Sequence, residues 1–143
     1  WTPLLVAIQK GHEKVASVLL DRGADIEGAK KGGWTPLLIA AQYGNVELVR
    51  QLLDRGADIE AANSDGETAL LVAAIDGTAS VVELLLDRGA EYVNGFEPLH
   101  VSCILRDVPK TQKLLGNGAN VDSRASGRFT PLTLAAAQPS NER

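Results

Sequence analysis

The chain has 143 residues, 45% of them hydrophobic, with a formal charge of −4 and a sequence pI near 5.1. That composition is ordinary for a folded domain, and the acidic balance lacks the basic stripe that replaces phosphate counterions on nucleic acid, so no nucleic-acid role is expected. No run of about 18 apolar residues is present to insert in a membrane, and the single Cys103 excludes an intrachain disulfide and fits a reducing, intracellular compartment, cytoplasmic or nuclear.

The first elements lie between Trp1-Thr2-Pro3-Leu4-Leu5 and the string LLDRGADIE that begins at Leu19. Both return 33 residues on, as Trp34-Thr35-Pro36-Leu37-Leu38 and as LLDRGADIE from Leu52, and LLDRGAEYV follows from Leu85. A fixed period in this range marks stacked repeats, so the chain is expected to form one solenoid. No Met occurs, and Trp1 is read as an internal residue of a longer parent.

The second unit shows the local logic. Thr35 can cap a helix, and Pro36 follows at the first helical position, where a missing N–H costs nothing. Leu37, Ala40 and Ala41 form an apolar stripe, and Gly44 supplies a left-handed stop after about two to three turns. Asn45 can cap a second helix, whose Val46, Leu48, Val49, Leu52 and Leu53 recur at offsets of three and four before Gly56. A polar stretch with turn chemistry at Asp65 and Gly66 leads to Thr68. Helices this short are marginal alone, so stability must come from stacking.

Five starts can be aligned: TPLL at Thr2, TPLL at Thr35, TALL at Thr68, EPLH at Glu97 and TPLT at Thr130. Their 33-residue period and Thr-Pro-Leu-His-like form resemble the ankyrin-repeat family over essentially the whole chain. The resemblance implies an all-α solenoid of antiparallel helix pairs with β-hairpin-like finger loops. One domain, 1–143, is expected, with repeats near 1–33, 34–66, 67–95 and 96–128 and a partial unit 129–143. It also implies a protein-interaction module without catalysis or cofactor, whose partner meets the concave face of first helices and fingers. The partner would be another protein or another domain of the same chain, with this segment itself monomeric. The alternative is a regulatory or spacer segment acting within a larger enzyme, channel or signalling receptor.

The pattern breaks once. The step from the third to the fourth start is 29 residues, and the loss falls between Ala90 and Gly95, either as a short finger or as a gap of four residues. In the fourth unit Arg106 replaces Gly11, Gly44 and Gly77, and Lys110-Thr111 replaces Leu48-Val49 and Val81-Val82. Its second helix is expected to form, started by Asp107 and Pro109, but to pack poorly. The fifth unit ends in Pro139 and a polar tail.

Chemistry is sparse. His12 has no metal or nucleophile partner near it in sequence. His100, Cys103 and Asp107 fall at helical spacing but lack a fourth ligand, and His100 reads better as the histidine of the repeat start. Gly32-Gly33 lacks the lysine and flanking glycines of a phosphate loop. The variable columns are more informative. Trp1, Trp34, Phe96 and Phe129 precede the starts, with Glu67 the exception, and Gln42, Tyr43, Ile75, Asp76, Ile104 and Leu105 occupy first-helix ends. The proposed contact residues are Trp34, Tyr43, Glu67, Ile75, Asp76, Phe96, Ile104, Leu105 and Phe129, with Lys31 and Asp65 at finger tips beside Lys30, Ser64 and Ser126. The competing structural reading packs Trp34 and Phe96 along the next finger as local glue. Asp21, Asp54 and Asp87 with Arg22, Arg55 and Arg88 are read as solvated outer-face charge.

Overall fold

A computed structural model describes residues 1–76, 78–92, 95–125 and 129–137; the expected Gly77 stop, the finger position Ser126 and the Pro139 terminus lie outside the described residues. Among the described residues there are nine helices and no strand. Thr2 Oγ1 accepts the Leu5 N–H at 3.2 Å and starts α1 (Pro3–Gln9), and Thr35 Oγ1 accepts the Leu38 N–H at 3.3 Å to start α3 (Pro36–Gln42). Asn45 caps Leu48 at 3.0 Å and starts α4 (Val46–Asp54), the partner of α3, as α2 (Glu13–Asp21) is of α1. The third unit is α5 (Ala69–Asp76) with α6 (Ala79–Asp87), the fourth α7 (Pro98–Ile104) with α8 (Val108–Gly116), and α9 (Pro131–Ala137) follows.

First helices α1, α3 and α5 stack side by side, as do second helices α2, α4 and α6. Leu38, Ala40, Ala41, Ala73 and Ala74 are fully covered between them, alanine allowing close backbone approach. Each buried leucine contributes roughly 1.5–3 kcal/mol, which a lone unit could not collect because half its stripe would face water.

The repeated LLDRGADIE ties neighbours together. Arg55 pairs with Asp21 at 2.7 Å and Arg88 with Asp54 at 2.8 Å, so these half-exposed charges bridge units and are not merely solvated, as the sequence had implied. Glu27 accepts the Asp58 N–H at 2.8 Å and Glu60 accepts the Glu91 N–H at 2.9 Å. Both ladders run out of suitable residues between the third and fourth units, where Val93 holds the third unit's glutamate column and Asn117 the fourth unit's arginine column.

The fourth unit differs accordingly. Among the described residues α7 makes little contact with α5 and α8 little with α6, while α9 packs along α7 and also touches α5. Helix α8 forms but buries no residue fully, as its polar columns led one to expect. Thr111, standing where Val49 and Val82 are buried, instead places its hydroxyl 2.8 Å from the Asp107 carbonyl and 3.0 Å from Ser102 Oγ, one proton serving the pair.

The fingers are minimal hairpins, closed by single antiparallel bridges at Lys30 and Trp34, Ala62 and Thr68, and Ala125 and Phe129. The first two touch directly, the Ser64 N–H donating to the Gly32 carbonyl at 2.8 Å. Gly33, at φ +76°, permits this approach, since a Cβ there would sit 3.2 Å from Asn63 Cα. Of the shortened third finger, Val93 and Asn94 lie outside the described residues.

Candidate protein-binding face

The first finger builds its surface from three side chains. Trp34 is held by the bridge, its carbonyl accepting the Lys30 N–H at 3.1 Å, and its ring is partly buried against the core. Lys30 Nζ lies 4.5 Å from the centroid of the exposed Trp1 ring and 5.8 Å from that of Trp34. Such contacts contribute about 0.5–1 kcal/mol at exposed sites, enough to order the ammonium while leaving it accessible. Trp34 thus serves partly as local glue and partly as surface. Lys31, beside it, is exposed.

Tyr43 follows α3 and is 54% exposed, its hydroxyl accepting from Gln9 Nε2 at 3.2 Å across to the first unit. On the second finger Asp65 is exposed, and Glu67 is partly buried with Oε2 accepting from Asn63 Nδ2 at 2.9 Å. Asp76 ends α5 and is exposed; desolvation by burial, and secondarily the charge of Glu67, push its carboxyl above the ordinary range. Ile75 and Leu105 are partly buried against the core, and Phe129 is partly buried while exchanging backbone hydrogen bonds with Ala125 at 2.7 and 3.0 Å.

Two expected contact residues do not reach this surface. Phe96 is 2% exposed because its ring stacks between His100, 5.5 Å between centroids, and Tyr92, 6.1 Å. Ile104 is also 2% exposed, drawn into the core of the helix along which α9 packs. Tyr92 takes the outer place beside Phe96 at 44% exposure, and burial of its other side raises its hydroxyl pKa. Tyr92 is not among the contact residues expected from the sequence. The available signal was the change from Asp-Ile-Glu to Glu91-Tyr92-Val93 in the third copy of the string, an aromatic in a column otherwise aliphatic.

His100 is fully buried and wholly used by the backbone. Its Nδ1 accepts the Glu97 N–H at 3.1 Å, and Nε2 faces the carbonyls of Ser123 and Phe129, each at 3.2 Å. Two acceptors on one side and a donor on the other place the proton on Nε2. Neither nitrogen has a lone pair free for a metal, and Asp107 Oδ1 accepts the Lys110 N–H at 3.1 Å. Among the described residues no group of three His, Cys, Asp or Glu is placed to hold an ion. Cys103, whose column holds the fully covered Ala41 and Ala74, is only partly buried, in an apolar groove of about 170 Å³ lined by Leu99, Leu115 and Leu132. His12 is exposed and makes no capping hydrogen bond.

Stacked helix pairs joined by bridged fingers define the class as a helical-repeat protein. The family model for ankyrin repeats (3 copies) matches residues 1–63, 27–94 and 59–125, and the chain belongs to the ankyrin-repeat family. No curated protein matches the sequence. Ankyrin repeats are generally protein-interaction modules and typically non-catalytic. Among the described residues no helix is long and apolar enough to cross a membrane.

Proposed function

We propose that the concave face formed by the first helices and the fingers binds another protein, or another domain of the same chain, through surface already in place before the partner arrives. In this reading the units act together as a single binding body. The observation that carries it is the strip of Trp1, Lys30, Trp34 and Tyr43, where large aromatic area and a positioned cation stay accessible on rigid elements. Exposed aromatics of this kind supply much of an interface's energy, and Tyr43 has no role in the core to account for its position. Glu67, Asp76, Lys31 and Asp65 form the polar surroundings, with Ile75, Leu105 and Phe129 offering partial apolar area. Phe96 and Ile104 are left out, and Tyr92 is added at the far end.

Replacing Trp34 and Tyr43 together by alanine tests this. Partner affinity measured by titration calorimetry should fall at least tenfold, since two interface aromatics of this type each contribute about 1 kcal/mol or more, while the far-UV circular dichroism keeps its helical amplitude. Unchanged affinity in a folded variant would reject the site.

A further inference from the structure

The charges on this face change sign along the stack. At the first-helix ends the column reads Lys10, Tyr43, Asp76, Leu105; the first finger carries Lys30 and Lys31, and the second carries Asp65 and Glu67, in the columns of Gly32 and Trp34. Lys10, Lys31, Asp65 and Asp76 are exposed, and Lys30 and Glu67 partly so. Positive groups therefore gather on the first unit and its finger, and negative groups on the second finger and the third unit, with the Tyr43 ring between them.

The ion pairs among the described residues lie elsewhere, at Arg50 and Glu47, Arg55 and Asp21, and Arg88 and Asp54. The two clusters consequently do not neutralise each other. Lys30 is held over indole faces, which attract a cation without cancelling its charge, and the Asp76 carboxylate, partly desolvated, also feels the like charge of Glu67, so each end gains from an opposite charge brought by a partner.

We propose that this face binds an extended peptide segment carrying an acidic side chain against Lys30 and Lys31 and, about three residues away, an arginine or lysine against Glu67 and Asp76. The spacing follows from geometry: packed helices lie about 8–10 Å apart, and an extended chain rises about 3.3 Å per residue, so one repeat corresponds to about three residues. The inference rests on the protein-binding reading above and adds the chemistry of the partner.

The test pans a random dodecapeptide display library on the immobilised full chain at low salt and measures the enriched peptides by fluorescence anisotropy. Enriched sequences should place Asp or Glu three or four residues from Arg or Lys. Exposed pairs shift affinity about two- to fivefold each, so Lys30→Glu with Lys31→Glu should weaken these peptides about four- to twenty-five-fold, and exchanging the peptide's acid for lysine should restore binding. Peptides that lose binding to the Trp34→Ala, Tyr43→Ala variant yet lack the charge pattern, or ignore the lysine reversals, overturn this inference and leave the binding face standing. Peptides indifferent to the aromatic double substitution overturn both, and a library that yields no binder overturns the extended-peptide proposal.

Discussion

Arg106→Gly isolates a strain that belongs to one repeat. Arg106 adopts φ +56°, the left-handed conformation that Gly11 (φ +72°) and Gly44 (φ +69°) take at the same place in earlier units. The chain needs that conformation because the Arg106 N–H must reach the Cys103 carbonyl at 3.2 Å and the Asp107 N–H the Ser102 carbonyl at 2.9 Å, closing the end of α7. A side-chain-bearing residue there costs about 1–2 kcal/mol, and the extra freedom of glycine in the unfolded chain returns about 0.5–1, leaving a net stabilisation of about 0.5–1 kcal/mol. With a urea dependence near 1 kcal/mol/M for so short a segment, the midpoint should rise by about 0.5–1 M.

The assay uses two probes. Trp1 and Trp34 are the only tryptophans and sit in the first two units, whereas circular dichroism reports every helix. Because α7 and α8 make little contact with α5 and α6, the fourth unit should unfold first, in a dichroism phase that precedes the fluorescence transition. Arg106→Gly should move that early phase alone. An unmoved early phase would refute the strain, and equal shifts in both probes would refute the weak coupling.

Further outcomes are expected at His100 and at Asp76 with its neighbour Glu67. His100→Ala should destabilise the fourth unit by about 2–4 kcal/mol, since it leaves a cavity and strips partners from the Glu97 N–H and the Ser123 and Phe129 carbonyls; hydrogen exchange at Phe129 and Leu134 should quicken while that of Leu38 does not. For Asp76 the folded-state pKa lies above the ordinary 3.8, so the folded chain holds more protons than the unfolded one in the window just above that value. Its contribution to stability therefore falls as pH rises through this window. Asp76→Asn should flatten the slope in acid-range denaturant titrations, and Glu67→Gln should lower the Asp76 pKa seen by carboxyl NMR without fully normalising it, because desolvation is the larger cause.

Much of the architecture was legible because it depends on local chemistry repeated at a fixed period. Thr-Pro starts, glycine stops and leucine pairs each act within a few residues, so reading one unit reads three. The weakness of α8 was legible for the same reason, as Lys110 and Thr111 visibly replace apolar columns. The candidate face was legible only as columns. Trp34, Tyr43 and the charges of Lys31, Asp65, Glu67 and Asp76 could be assigned to one side, but a column does not say whether its side chain is covered.

Phe96 and Trp34 show that limit most clearly, since they share a column and differ in fate. Trp34 stands on a full-length bridged finger with Lys30 beside it, whereas Phe96 follows the shortened finger and stacks on the buried ring of His100 beneath Tyr92. Likewise the Asp-Arg pairs look like solvated charge within one unit and become ties only once the next unit is stacked 33 residues on. By itself the sequence determined the repeat, the helix ends and the place where the period fails, because these are short-range and periodic. Which aromatic is surface and which is core, and that the repeated charges tie one unit to the next, was decided by tertiary packing, because burial and pairing depend on neighbours that no single unit contains.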